Sequence, residues 1–401
     1  MDRSKWEYKK LGDCIVSIGN GATIKQIKEA MGIPITRIET LSNDVFNRDR
    51  LGYANIEDAS PYSSYILNDG DILMSHINSM KFLGRAVEYK KLDNEVIIHG
   101  MNLLRLVPTP DFLSSYAVYQ FQTDFFRKQI KAISHQAVNQ ASFNVTNLKR
   151  LNVLVPTLED QQRIVAELDC LNEMIAVKQE QLKEFDKLAQ SIFYDMFGDP
   201  VSNEKGWDII ELGTKCEVTS FKRVLIEEVV DSGIPFIRGT ELMALSKATK
   251  GEQIDFSLFI TPEHYERVKT ISGVPKVGDL LIPSINSDGN IWILDTDEPR
   301  YYKDGRVLWV HVNHDAFSSE ALKYIMHILL KKTYSLMATG ATFAELKLFV
   351  LRELKVPLPP LELQQQFADK MSAIEAQKEL VKQSIAETQS LFNSRMDYFF
   401  N

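Results

Sequence analysis

Cysteine is nearly absent: Cys14, Cys170 and Cys216 stand far apart in 401 residues, with no C-x-x-C pair. That spacing argues against a disulfide framework and against a zinc cage. Uninterrupted apolar stretches are as short as Val307–Val310, far below the roughly 18 residues that a membrane span needs. The opening Met1-Asp2-Arg3-Ser4-Lys5 has no apolar run of the kind that begins a secretory leader. A soluble chain in a reducing cytoplasm, with no membrane partner, is expected. Catalytic signatures are also missing. No Walker A loop occurs. Gly19-Asn20-Gly21 starts like a dinucleotide loop, but Ile24 fills the third glycine position. No G-x-S-x-G elbow exists, and Ser134 and His135 are merely adjacent. Asp199-Pro200 is followed by Val201, unlike the Pro-Pro-aromatic signature of DNA amino-methyltransferases. His311 and His314, three apart on an expected strand, would face opposite sides and make a poor metal pair. Glu353-Leu354-Lys355 resembles the tail of a nuclease motif without its upstream aspartate. No catalytic residue and no metal ligand emerges, so a binding protein is expected rather than an enzyme.

What is present is a repeat. Composition is ordinary for a globular protein, with 25% charged and 44% hydrophobic residues, and the length suits two or three domains. Trp6 and Trp207 are 201 residues apart, as are Leu11-Gly12 and Leu212-Gly213. Gly32-Ile33-Pro34-Ile35-Thr36-Arg37 returns as Gly233-Ile234-Pro235-Phe236-Ile237-Arg238. Gly70-Asp71-Ile72-Leu73 matches Gly278-Asp279-Leu280-Leu281, and Ile77-Asn78-Ser79 matches Ile285-Asn286-Ser287. Ser114-Ser115 meets Ser318-Ser319, and Leu148 through Gln162 pairs with Leu351 through Gln365. Blocks recurring in one order at nearly constant offset mean one fold used twice.

Each half has the same grammar. Short β-branched runs separated by turn residues predict strands at Ala86–Tyr89, Glu95–Ile98, Leu280–Ile282, Ile291–Leu294 and Val307–Val310. A helix is expected around Phe112–Ile133 and again around Glu320–Met337. Pro156, or Pro359-Pro360, then breaks the chain ahead of a long helix. In the first, Leu168, Leu171, Ile175, Lys178, Leu182, Phe185, Ala189, Ile192 and Met196 alternate in steps of three and four. In the second, Met371, Ile374, Lys378, Val381, Ile385, Thr388, Phe392, Arg395 and Phe399 do the same. So narrow a seam suits another helix better than a sheet, and its few polar positions would fix register. The expected boundaries are a globular segment at 1–157, a helix and linker start at 158–199, a second globular segment at 200–360 and a final helix at 361–401. Gly198 through Gly206 is a short, turn-rich linker.

The net charge of −8 would discourage a nucleic-acid reading, yet its distribution removes the objection. The two long helices carry −6 and −2 of it, and the remainder of the chain balances. Local basic clusters such as Lys9-Lys10, Lys90-Lys91 and Arg127-Lys128 with Lys131 suit phosphate contacts, although most such pairs are ordinary solvated surface.

Two globular segments, each ended by a Pro-x-Leu-Glu-x-Gln-Gln helix start, resemble the specificity (S) subunit of type I restriction–modification systems over essentially the whole chain. The carrying residues are Leu151-Asn152-Val153-Leu154-Val155-Pro156-Thr157-Leu158-Glu159-Asp160-Gln161-Gln162 and Leu354-Lys355-Val356-Pro357-Leu358-Pro359-Pro360-Leu361-Glu362-Leu363-Gln364-Gln365. Gln190-Ser191-Ile192-Phe193, Phe197-Gly198-Asp199 and Gly340-Ala341-Thr342-Phe343 are similar too. Thr157 departs from the proline that Pro360 preserves, and Tyr398-Phe399-Phe400-Asn401 lacks the Phe-Gly-Asp that closes the first helix.

The resemblance implies an α+β chain. Two homologous α/β target-recognition domains would be separated by two long helices pairing as an antiparallel coiled coil, with pseudo-two-fold symmetry. It implies a non-catalytic subunit that reads an asymmetric bipartite site in double-stranded DNA, with half-sites near one turn, about 34 Å, apart. Methyltransferase (M) subunits, two of them, and restriction (R) subunits would be its partners. S-adenosylmethionine, ATP and Mg2+ would then belong to those partners, and this chain would hold no cofactor. The competing expectation is a two-module coiled-coil scaffold that binds proteins rather than DNA.

Asn and Gln can pair with adenine and Arg with guanine. The motif-matched candidates for DNA contact are Arg37, Arg238, Asn78, Asn286, Ser79, Ser287 and Thr342, with Gln136 and Asn139 near the counterpart of Thr342. Lys81 and Arg85 suit phosphates. Residues shared by both halves compete for a turn-forming role, because bases that differ should be read by residues that differ. The coiled-coil interface is assigned to Leu168, Leu171, Ile175, Leu182, Phe185, Ile192, Met371, Ile374, Val381, Ile385 and Phe392.

Overall fold

Ile72-Leu73-Met74 is continuously apolar because both faces of its strand are covered. The computed structural model, which describes residues 6–27, 31–42, 44–137, 140–246, 248, 254–286, 288–337 and 345–400, divides into two units. Met1–Val177 with Ile385–Asn401 form the first, and Lys178–Ser384 form the second.

In the first unit an antiparallel sheet runs Ala86–Glu88, Ile72–Met74, Leu104–Pro108, Ile15–Asn20. Strand alternation sends Ile72, Met74, Leu104 and Leu106 into a core with Tyr116, Ala117, Phe126 and Ile130. Those last four lie on the helices Ser114–Gln122 and Asp124–Ile133. The other face sends Leu73 and Val87 against Leu41, Leu67, Tyr89 and Ile97. The second unit repeats the plan with Glu217–Ser220, Val307–His311, Leu280–Pro283 and Trp292–Ile293. Leu280, Ile282, Leu308 and Val310 meet Leu322, Ile325 and Met326 of the helix Ser319–Met337. Leu281, Val307 and Trp309 meet Phe221, Tyr301 and Tyr302 on the opposite face.

Three local expectations change. Glu95–Ile98 forms no strand, only bridges from Ile98 to Ile35 and Ile66. Asn94 turns through a positive φ of 59°, and Glu95 is held by Arg48 Nε at 2.7 Å and Tyr89 OH at 2.8 Å. The helix expected around Phe112–Ile133 is two, broken at Thr123, whose hydroxyl accepts from the Phe126 amide. The strand at Ile291–Leu294 shortens to Trp292–Ile293.

The long helices are Leu158–Phe197 and Leu361–Phe400. In the first unit Ile164, Leu168 and Leu171 share a core with Phe392, Phe399 and Phe400, and Ile175 is buried as well. Glu167 pairs with Arg395. In the second unit Lys178 Nζ donates to Ser384 Oγ at 2.7 Å, and Lys378 Nζ lies 2.9 Å from Asp186. As the first helix advances the second retreats, so the pairing is antiparallel. The polar seam positions Lys178, Lys378 and Arg395 are thus held by partners.

The seam differs from the reading in one respect. Phe193, Phe197 and Phe367, outside the strict spacing, are buried with Ala189, Met371 and Ile374. Leu182, Phe185, Ile192, Val381 and Ile385 are only half-buried. Where the helices also pack on a globular segment, the buried stripe widens. The unit boundary accordingly falls within both helices rather than at their ends. Among the described residues no helix is long and apolar enough to cross a membrane.

One buried titratable group makes the first unit pH-sensitive. His99 is 1% exposed, with Nε2 3.0 Å from the Leu103 carbonyl. Burial, aided by nearby Arg105, holds its pKa down at about 4. Because the folded value lies below the unfolded one, the unfolded chain takes up the proton first. The contribution of His99 to stability is flat well above pH 6.5 and falls as the pH drops toward 4, by about 2 kcal/mol at pH 5. Asp71 and Glu88, both raised by burial, act in the opposite sense. The difference between wild type and His99→Gln therefore isolates this group: melting curves at pH 7 and pH 5 should show a smaller acid loss in the variant.

Candidate nucleic-acid interface

The repeated motifs serve first to build the units. Gly70 and Gly278 adopt φ of 80° and 94°, the left-handed region that favours glycine. The following carboxylate closes each turn: Asp71 Oδ2 accepts from the Asn68 amide and Asp279 Oδ2 from the Lys276 amide, both at 2.8 Å. Ser114 Oγ donates to the Gly70 carbonyl at 2.5 Å, and Ser319 Oγ to that of Gly278 at 2.6 Å. The Gln of each Leu-Glu-x-Gln-Gln start is fully buried. Gln161 accepts from the Leu113 amide and donates to the Asp111 and Pro156 carbonyls. Gln364 accepts from the Ser318 amide and donates to the Ala316 and Pro359 carbonyls. Each glutamine clamps the long helix to the loop that opens an earlier helix, Ser114–Gln122 in the first unit and Ser319–Met337 in the second. The sequence marked these glutamines as a signature without revealing the clamp.

The candidate contact residues separate into groups. Arg37 is half-buried, with Nε 3.7 Å from the exposed Glu39 carboxylate. Arg238 is committed to Glu241, whose carboxylate accepts from the Arg238 guanidinium and from its backbone amide. Burial alone would raise the Glu241 pKa, but hydrogen bonds from Arg238 and Thr240 hold it at about 2. Arg85 is tied to Asp44 at 3.0 Å and stacks over Phe82. Asn78 turns back on Ser75 Oγ and the Ser79 amide. Asn286 is 4% exposed and bonded to Asn290 through both amide atoms. Its side chain is spent on a turn, which corrects the expectation of a surface reader there. Ser79, Lys81 and Gln136 are exposed. Asn139, Ser287 and Thr342 lie outside the described residues.

Asn78, Ser79, Lys81 and Gln136 come together. Strand Ile77–Asn78 pairs with Ala141–Ser142, which pairs with His135–Gln136. Met80 Sδ lies 3.9 Å from Ser134 Oγ, bringing the segment that carries Lys81 beside the hairpin. Arg37 belongs to a different part of the first unit, beside Gly52. Sequence reasoning missed Ile77 and His135. The available signal was the repeated Ile-Asn-Ser, whose isoleucine is exposed in both halves: 39% at Ile77 and 45% at Ile285.

Among the described residues no group of three or more His, Cys, Asp or Glu could hold a metal. His311 ends its strand and binds the buried Asp279 through Nδ1 at 2.8 Å, whereas His314 lies in the following turn.

The model of the type I restriction modification DNA specificity domain matches this chain twice, over residues 3–186 and 204–389. The putative type I restriction enzyme MjaX specificity subunit of Methanocaldococcus jannaschii is 30% identical over 391 residues, covering 92% of this chain and 87% of the relative. Among solved structures, the type I restriction–modification S subunit from M. genitalium aligns at TM-score 0.56 and 14% identity, covering 99% of this chain and 96% of that one. A chain from a structure concerned with complex assembly and conformational transition of the type I R-M system aligns at TM-score 0.60 and 16% identity, covering 99% and 98%. The chain belongs to the family of type I restriction–modification DNA specificity subunits. It is of the kind that carries two copies of the specificity domain in one polypeptide.

Proposed function

We propose that this chain gives a type I restriction–modification complex its sequence specificity, each unit reading one half of an asymmetric bipartite site in double-stranded DNA. The observation that carries the reading is the doubled specificity domain with unlike surfaces. Arg37 and Arg238 occupy matching repeat positions, yet one neighbours an exposed glutamate and the other is locked to Glu241. Two heads that read the same bases would have no reason to diverge there.

Partners follow from the reading: two methyltransferase subunits and restriction subunits, with S-adenosylmethionine, ATP and Mg2+ acting on those partners and no catalysis in this chain. Exposed apolar side chains on the long helices support docking there, Met174 and Val177 in the first unit and Leu188 and Leu380 in the second. A cytoplasmic location, beside the DNA, goes with this role. The test is a genome-wide map of methylated adenines in cells with and without the gene. A split, asymmetric motif present only with the gene is the expected result; an identical map in both would overturn the assignment. The purified chain alone, given DNA with S-adenosylmethionine, ATP and Mg2+, should neither methylate nor cleave it.

A further inference from the structure

We infer that the three-stranded patch formed by Ile77–Asn78, Ala141–Ser142 and His135–Gln136 is the element of the first unit that enters the major groove. This deepens the reading above and rests on it. Strand alternation decides which side chains face out. Ala141 is 2% exposed and belongs to the core, so its cross-strand row, Gln136–Ala141–Asn78, turns inward, leaving Gln136 exposed at the open edge. The opposite row, His135–Ser142–Ile77, faces outward. Beyond these pairs the Ala137 amide donates to the Gln140 carbonyl at 2.7 Å, and Gln140 is exposed.

Within the patch, His135–Gln136 and Ala141–Ser142 make a two-stranded ribbon, the element that the major groove admits, flanked by Ile77–Asn78; there His can bond base edges and an apolar side chain can meet the thymine methyl. An exposed isoleucine is otherwise a poor surface residue, and the same position is exposed in the second unit as Ile285.

Charge points to the same polyanion. The ribbon continues from the helix Asp124–Ile133, whose last turns expose Lys128 and Lys131, and Lys81 lies on the adjoining loop. In a chain with 54 acids, none occurs between Asp124 and Glu159 or between Asp71 and Glu88, the two stretches that build the patch. The stretch between Glu320 and Glu345 of the second half is also free of acids. Two stretches that contribute no carboxylate of their own and carry exposed lysines are suited to phosphates. Lys81, Lys128 and Lys131 hold the backbone while His135 and Ile77, in the outward row, read the bases.

The experiment uses the full chain assembled with its methyltransferase subunits and duplexes carrying the mapped site, with either half scrambled in controls. His135→Ala with Ile77→Ala should reduce discrimination at one half-site by about ten- to a hundredfold and leave the other half unchanged. Lys128→Ala and Lys131→Ala should weaken binding to every duplex alike, each lowering the salt-dependence slope by about 1. Unchanged melting temperatures confirm that the variants fold; a variant that melts early is replaced by His135→Leu alone, which keeps side-chain bulk and removes the ring nitrogens. Full discrimination retained by folded ribbon variants overturns this assignment while leaving the specificity role intact. A wild-type complex that prefers no duplex at all overturns the specificity role itself.

Discussion

Replacing Gln364 by leucine should destabilise the second unit by about 3–5 kcal/mol, and Gln161→Leu should do the same to the first. The side-chain volume is nearly conserved, so packing changes little. What is lost is the clamp. Without the amide, the Ser318 N–H and the Ala316 and Pro359 carbonyls lose their side-chain partner at a position where Gln364 itself has no solvent exposure. Each unsatisfied buried group costs about 1–3 kcal/mol. Gln→Glu offers no rescue, because a carboxylate cannot donate to the two carbonyls. Hydrogen exchange across 316–318, or across 111–113 for the other unit, together with denaturant melting, measures the effect. A loss below about 1 kcal/mol would mean that water or a backbone shift takes over the bonds.

Phe399→Ala should unfold the opposite end of the sequence. Phe399 is fully buried in a core made chiefly of residues before 177. Its neighbour Phe400 lies 5.3 Å from the Tyr116 ring, and Phe392 lies 6.2 Å from Tyr119. Truncating a buried phenylalanine costs about 3–5 kcal/mol. Deleting residues 385–401 removes all three aromatic rings at once. Limited proteolysis should then release fragments from 1–177 while 178–384 resists; equal resistance of both would refute the split core.

The long helices were legible because three-four spacing from Leu168 to Met196 and from Met371 to Phe399 is hard to mistake, and the repeat was legible because its blocks keep their order. The strands were placed where β-branched residues cluster, and failed at Glu95–Ile98, where a carboxylate recruited by Arg48 and Tyr89 overrides propensity. Phe193 and Phe197 escaped the heptad because each helix changes environment along its length, from partner helix alone to partner helix plus globular unit. The contact surface was the least legible. Arg238, Asn286 and Asn78 carry the right functional groups, but whether an amide or guanidinium faces solvent depends on neighbours as remote as Ser257 or as near as Asn290. Ile77 and His135 sit in no motif that announces a contact; only the register of three short strands turns them outward.

The division of the chain also orders its birth on the ribosome. Residues 178–384 are all synthesised before the last seventeen residues that complete the first unit. The usual N-to-C sequence of domain maturation during translation is thereby inverted: the later-encoded head can finish its core while the earlier one waits, with an unfilled aromatic socket around Tyr116 and Tyr119, for the terminal helix to emerge. A nascent chain that stalls within the final helix would carry one finished head and one exposed socket, the kind of surface that chaperones and proteases engage.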